Sequence, residues 1–184
     1  PGGVAAKLMG RPLIIHEQNA VAGLTNRLLS HIANHVLEAF PGVFAGAKVR
    51  HTGNPVRTDI LQVAEPVERF AGHQGRIRLF VLGGSLGAMV FNETLPKALA
   101  MMPETLRPAV RHQTGKRNLE LTRLHYTEAC VEAELLPFID DMAAEYAWAD
   151  LVLCRAGALT VSELAAAGVP ALLVPYPHAV DDHQ

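Results

Sequence analysis

The chain is poor in several things that would place it quickly. It has two cysteines, Cys130 and Cys154, in 184 residues. That is too few for the disulfide framework of a small secreted domain and fits a reducing cytoplasm. Lys+Arg 16 stand against Asp+Glu 18, a formal net charge of −2. With no polybasic field to hold a phosphate backbone, no nucleic-acid partner is expected. No apolar run approaches the ~20 residues that span a bilayer, and no signal-peptide pattern opens the chain. His31 and His35 stand at i, i+4, but Ile32 takes the place of the glutamate in H-E-x-x-H, so a zinc protease is excluded. Asp181-Asp182-His183 reads as solvated polar surface, and no metal site is expected. G-x-S-x-G is absent, which argues against a serine hydrolase.

What the chain does have is apolar material. Hydrophobic residues make up 49% and charged residues only 18%, which supports a sizeable core and excludes intrinsic disorder. Runs of strand length alternate with segments of helical period, the pattern of βα units around a parallel sheet. Pro12 to Ile15 reads as a short strand, followed by a helical stripe of Val21, Leu24, Leu28, Ile32 and Val36. Val49 to Thr52 is extended and ends in Gly53-Asn54-Pro55, a breaker that suits a linker. A second block then opens with a strand at Ile77 to Leu82 and a helix carrying Ala88, Phe91, Leu95 and Leu99, which Pro96 should kink or shorten. Strands at Ala109 to Gln113, Val131 to Leu136, Leu151 to Cys154 and Ala171 to Val174 follow. Between them lie helices over Lys116 to Glu128, from an Asp140 or Asp141 cap to Trp148, and over Thr160 to Ala167. The second block is thus Rossmann-like. Opening on Pro1-Gly2-Gly3 and stopping after a strand and a loop, the chain reads as a piece of a longer protein.

Two strand-to-helix turns have the composition to meet phosphate. Gly83-Gly84-Ser85-Leu86-Gly87 lets backbone amides approach an anion without a Cβ in the way, although it is neither a Walker loop nor a strict G-x-G-x-x-G. Gly157 to Glu163 opens a helix whose free N–H groups and positive dipole end suit a diphosphate. There Thr160 adds a hydroxyl and Glu163 a carboxylate able to accept from both hydroxyls of a ribose. The same residues serve equally as a cap and a favourable charge in the first turns.

Six motifs stand in one order: His16-Glu17-Gln18-Asn19, Gly53-Asn54-Pro55-Val56-Arg57, Gly83 to Gly87, Phe138-Ile139-Asp140-Asp141-Met142, Arg155 to Glu163, and Pro175 to Gln184. Together they resemble glycosyltransferase family 28, specifically its lipid II-forming N-acetylglucosaminyltransferases. The resemblance runs from Pro1 to Gln184 and implies an α/β GT-B fold of two Rossmann-like domains with parallel sheets, facing each other across a cleft. Residues 1–53 would be the tail of the acceptor-side, membrane-side domain, 54–57 the linker, and 58–184 most of the UDP-sugar donor domain. It implies inverting transfer of N-acetylglucosamine from UDP-N-acetylglucosamine to undecaprenyl-linked lipid I, with no cofactor required, by a peripheral protein on the cytoplasmic face of the inner membrane.

By the same resemblance, Ser85 and Arg57 would approach the diphosphate and nucleotide, and the backbone of Ile139 would read the uracil edge. Ala158, Leu159, Thr160, Val161 and Ser162 would present helix-terminal groups to the phosphates, with Glu163 on the ribose. Gln184, and Asn19 from the other domain, would contact the transferred sugar, and Gly2 and Gly3 would end a loop facing the acceptor's diphosphate. The catalytic base would lie in a loop before Pro1, leaving His16 and Glu17 as the weaker candidates within the chain. Lys7, Leu8, Met9 and Arg11 would form one edge of a membrane-contacting patch. Alternatives are another GT-B enzyme of UDP-sugars, such as a lipid glycosyltransferase or a UDP-N-acetylglucosamine 2-epimerase, or an inactive nucleotide-binding fragment. A nicotinamide-dependent oxidoreductase predicts a dinucleotide fingerprint that is not here.

Overall fold

The computed structural model describes residues 2–83 and 88–176. Their contacts divide the chain into two compact units. The first is Pro1–Pro55 with Gly157–Ser162 and Tyr176–Gln184, and the second is Val56–Ala156 with Glu163–Pro175.

In the first unit, helix α1 (Gly2–Leu8) leads to strand β1 (Ile14–Glu17), helix α2 (Leu24–Ile32), and strands β2 (His35–Glu38) and β3 (Val49–His51). The strands form a parallel sheet in the order β1-β2-β3. Ile15 and Val36 are its buried centre, with Leu13, Leu29 and Val49 packed around them. Two expectations change here. Val36 is not on the helix: α2 stops at Ile32, Ala33 turns extended, and Val36 lies in β2 paired with Ile15. Leu24 and Leu28 are exposed, and the helix packs inward through Leu29, one position round from the expected stripe. Gly2 and Gly3 form the opening turn of α1. A Cβ on Gly3 would stand 2.9 Å from a methyl of Leu29, so glycine there lets α1 approach the Leu29 side chain.

The second unit contains helix α3 (Pro66–Phe70), strand β4 (Arg78–Leu82), helix α4 (Met89–Ala100), strand β5 (Ala109–Gln113), helix α5 (Leu119–Glu128) and strand β6 (Glu134–Leu136). Helix α6 (Met142–Trp148), strand β7 (Leu151–Arg155) and strand β8 (Ala171–Val174) complete it, together with the part of helix α7 (Ala158–Ala167) from Glu163 onward. Its strands are all parallel, in the order β6-β5-β4-β7-β8. Alternation along β4 splits the core between two faces. Phe80 packs with Ile139, Met142, Tyr146 and Leu164 on one side, and Leu79 and Val81 with Phe91, Leu99 and Tyr126 on the other. Each such side chain removed from water contributes on the order of 1.5–3 kcal/mol.

Pro96 does not end α4, which runs through it to Ala100. Proline cannot donate to the carbonyl four residues back, that of Asn92. Nδ1 of His125, on α5, lies 3.0 Å from that oxygen and takes the place of the missing amide. The strand expected over Val131 to Leu136 is shorter, because Cys130 adopts a left-handed φ of 51° and Val131 turns back to the Tyr126 carbonyl. Asp141, not Asp140, caps α6, accepting from the Ala144 amide at 2.9 Å.

β4 and β7 are neighbours from which the strand order runs outward in both directions, the switch point at which open α/β sheets bind ligands beyond their strand ends. The turns after Leu82 and after Arg155 therefore leave the sheet from adjacent strands, with Leu82 paired to Cys154. The Cys154 thiol is buried and pushed up to about 11, so it is inert packing.

Candidate functional site

In the second unit the sequence candidates Arg57 and Glu163 meet. Glu163 lies in the second turn of α7, and its Oε1 is 3.3 Å from Nε of Arg57. Its Oε2 accepts from the hydroxyl of Tyr146, on α6, at 3.1 Å. Tyr146 is fully buried and stacked edge-on against Phe80. Burial, and then the neighbouring Glu163 carboxylate, push its phenol far above the ordinary tyrosine value, so it remains a donor. The acid is thus held at both oxygens, while Arg57 stays half exposed. Tyr146 escaped the sequence reading. An aromatic on a helix signals core, and only the fold brings its hydroxyl to Glu163.

Helix α7 begins at Ala158, two residues before the expected start. Consequently the Val161 amide is already spent on the Gly157 carbonyl. The amides of Ala158, Leu159 and Thr160 remain outside the intrahelical ladder, with the positive dipole end beside them. The Ser162 hydroxyl donates to the Ala158 carbonyl and accepts from Nδ2 of Asn54, so its side chain is engaged within the protein. Ile139 is buried in the loop after β6, with its side chain in the core. Ser85 and Gln184 lie outside the described residues.

In the first unit, the end of β1 carries a different arrangement. Glu17 is buried at 3% exposure. Its Oε1 accepts from the Asn19 backbone amide at 3.0 Å and from Asn19 Nδ2 at 3.1 Å. Its Oε2 accepts from the Gly23 amide at 3.1 Å and from Asn26 Nδ2 at 3.0 Å. Burial works to raise this carboxyl, but the hydrogen bonds from Asn19, Asn26 and Gly23 outweigh it and hold the group below the ordinary glutamate value. A carboxylate so stabilised, with both oxygens occupied, is a poor base. His16 Nε2 lies 3.0 Å from the Gly53 carbonyl, which can only accept, so that nitrogen carries a proton and is committed too. Asn54 Nδ2 also reaches the Gln18 carbonyl at 3.0 Å.

This parallel α/β fold, with its switch point and the anchored acid on the helix after β7, is the fold of the GT-B glycosyltransferases. The glycosyltransferase family 28 C-terminal domain matches residues 78–184 and its N-terminal domain residues 1–38, and the chain belongs to this family. It is 62% identical over its whole length to the UDP-N-acetylglucosamine–N-acetylmuramyl-(pentapeptide) pyrophosphoryl-undecaprenol N-acetylglucosamine transferase of Marinobacter nauticus, of which it covers 51%. The crystal structure of Acinetobacter baumannii MurG superposes with a TM-score of 0.82 at 45% identity, covering all of this chain and 51% of that one. The Neisseria meningitidis UDP-GlcNAc 2-epimerase shares the fold at a TM-score of 0.61 and 14% identity, over 93% of this chain and 54% of that one. The chain spans about half the length of the curated relatives it matches.

Proposed function

We propose that the protein to which this chain belongs transfers N-acetylglucosamine from UDP-N-acetylglucosamine to the muramyl 4-hydroxyl of undecaprenyl-linked lipid I, with inversion, giving lipid II. The observation that carries this reading is the Glu163 carboxylate, fixed by Tyr146 and Arg57 on a helix that follows the switch-point strand β7. Such a carboxylate accepts from the two hydroxyls of a ribose. The names of the Marinobacter relative and of the Acinetobacter structure supply the donor and acceptor classes.

In the reaction the acceptor oxygen attacks the anomeric carbon, the bond from that carbon to the diphosphate oxygen breaks, and UDP leaves with the electron pair. The transition state resembles an oxocarbenium ion. Negative charge grows on the diphosphate, where the free amides at the start of α7, its dipole and the Arg57 guanidinium are suited to meet it. This scheme requires no metal or other cofactor. Ser85, Ile139 and Gln184 complete the donor site in it, and Asn19 contacts the sugar. The proton of the acceptor hydroxyl goes to a base other than Glu17, both of whose oxygens already accept hydrogen bonds, and other than Nε2 of His16, which carries a proton.

The lipid acceptor places the protein at the cytoplasmic face of the inner membrane, bound peripherally. Among the described residues no helix is long and apolar enough to cross a membrane. Leu8 and Met9 are 84% and 72% exposed beside Lys7 and Arg11, a pairing of apolar and basic side chains suited to a lipid surface.

The test uses the complete protein with labelled UDP-N-acetylglucosamine and a lipid I analogue, counting label in the lipid fraction for wild type and Glu163→Ala. Transfer that falls by about 100-fold in the variant is expected, since two charge-assisted hydrogen bonds to a ribose are lost. Tight UDP binding without any transfer by the wild type would overturn the reading in favour of another UDP-sugar enzyme or a binding module.

A further inference from the structure

Resting on the nucleotide-binding reading of Glu163 above, we propose that Arg69 is a positioning residue, whose guanidinium ties the ends of α6 and α7 together and so fixes the direction in which Glu163 offers its carboxylate to a ribose. Every residue in the arrangement belongs to the second unit. The last carbonyls of a helix have no partner within it. The two helices that build the acid site bring such carbonyls to one side chain. Nη1 of Arg69 donates to the Tyr146 carbonyl at 3.1 Å, and Nη2 donates to the carbonyls of Ala167 and Gly168 at 2.9 and 3.0 Å. Nε donates to the Ala64 carbonyl at 2.8 Å, which holds the fork against its own chain. The planar guanidinium thus meets four acceptors in directions that its geometry fixes, which a single ammonium cannot do.

These bonds close a ring around the acid. Tyr146 is held at both ends, its main-chain oxygen on Arg69 and its hydroxyl on Glu163 Oε2 at 3.1 Å. Ala167 stands four residues after Glu163, one turn along the same face of α7. The path runs from Arg69 through Tyr146 to Glu163, then down one turn of α7 and back to Arg69. A slide of either helix must break one of these bonds or lengthen the one that aims the carboxylate. Helix α3 is itself seated on the end of α7, since a Cβ on Gly168 would stand 2.7 Å from the Pro66 ring. On the other oxygen, Arg57 lies outside any helix and is half exposed. The direction of the acid is therefore set from the buried side. A carboxylate that accepts from two adjacent hydroxyls needs that direction, because rotating it toward one weakens the bond to the other.

The experiment measures Kd for UDP and for 2′-deoxyuridine diphosphate on the complete protein, by calorimetric titration, with thermal stability alongside. The variants are Arg69→Met, Arg69→Lys, Tyr146→Phe, the Arg69→Met and Tyr146→Phe pair combined, and His125→Leu. Wild type is expected to prefer UDP by about tenfold, the worth of one charge-assisted hydrogen bond. Arg69→Met keeps the stem and removes the fork, so UDP should weaken by about five- to tenfold while the deoxy nucleotide stays within twofold. Arg69→Lys, which keeps the charge, should show a smaller loss of the same kind even if Arg69→Met folds poorly. The double variant is expected to bind UDP no more weakly than the weaker single variant, because both changes act on one contact. His125→Leu loosens the same unit without touching the ring and should lower stability with the preference for UDP unchanged.

Equal weakening of both nucleotides by the two Arg69 variants, additive losses in the double variant, or an equal fall in preference in His125→Leu would each overturn the positioning role. A wild-type protein that binds UDP and its 2′-deoxy form equally would instead overturn the ribose reading of Glu163 on which the role rests.

Discussion

Tyr146 and Glu163 show how much of a polar site is decided one hydroxyl at a time. The carboxylate is 19% exposed and has a partner on each oxygen, Arg57 on one and Tyr146 on the other. The Arg57 side chain is half exposed, whereas the phenol is fully buried. Tyr146→Phe keeps the ring and its packing on Phe80 and removes only the donor. UDP affinity is expected to fall about three- to tenfold in calorimetric titration, with thermal stability lowered by roughly 1 kcal/mol. An unchanged UDP affinity would show that Arg57 alone orients the acid. Glu17 is the complementary case, an acid whose sequence neighbourhood suggests chemistry and whose hydrogen bonds assign it to architecture.

At the scale of elements, α4 tolerates a proline because a neighbouring helix repairs it. The Asn92 carbonyl, in a residue only 1% exposed, depends on His125 for its hydrogen bond. His125→Leu should therefore cost about 1–3 kcal/mol, the penalty for an unsatisfied buried acceptor. Pro96→Ala restores a backbone amide four residues on and should remove most of that cost when the two changes are combined. Urea denaturation of the single and double variants checks this, and strictly additive losses would contradict it. Gly168, which ends α7, illustrates a tighter constraint. Its φ is +60°, and a Cβ would come within 2.7 Å of the Pro66 ring on α3, so glycine is required there on two counts.

Across the whole molecule, acid sensitivity should fall in two separate windows. His112 is fully buried against the Tyr126 hydroxyl, and burial lowers it from 6.5 to about 4. The unfolded chain takes up that proton first on acidification, so stability is complete above about pH 6.5. It declines between there and about pH 4, by roughly 3 kcal/mol, with no further loss from this group below. Glu17 and Asp150 behave differently. For Asp150, burial raises the carboxyl but the Arg78 hydrogen bonds more than compensate, and both acids are held below their ordinary 4.5 and 3.8. Their contributions are intact above those values and are lost only as pH falls through the depressed folded ones. Stability measured by denaturant at pH 8, 6.5, 5.5 and 4.5 should slope downward in the wild type and be flat over that range in His112→Leu. A slope that persists in the variant would assign the first window elsewhere.

The alternation of apolar strands and helices from residue 78 onward was legible because β4, β7 and β8 are short, largely apolar runs with breakers near their ends. Asp141 could be read as a cap candidate because capping is a local event. Composition also excluded a disulfide scaffold and a charged nucleic-acid surface, and the motifs singled out Arg57 and Glu163 before any contact was known. Local pattern reports which positions are apolar, but it cannot say which face of α2 turns inward, since that depends on what β1 and β2 present to it. Nor can it pair polar atoms that are far apart in the chain: Tyr146 with Glu163, His125 with Asn92, or Asn26 with Glu17. Those bonds exist because packing of the surrounding elements holds donor and acceptor at one distance and one angle, and that geometry is a property of the assembled fold.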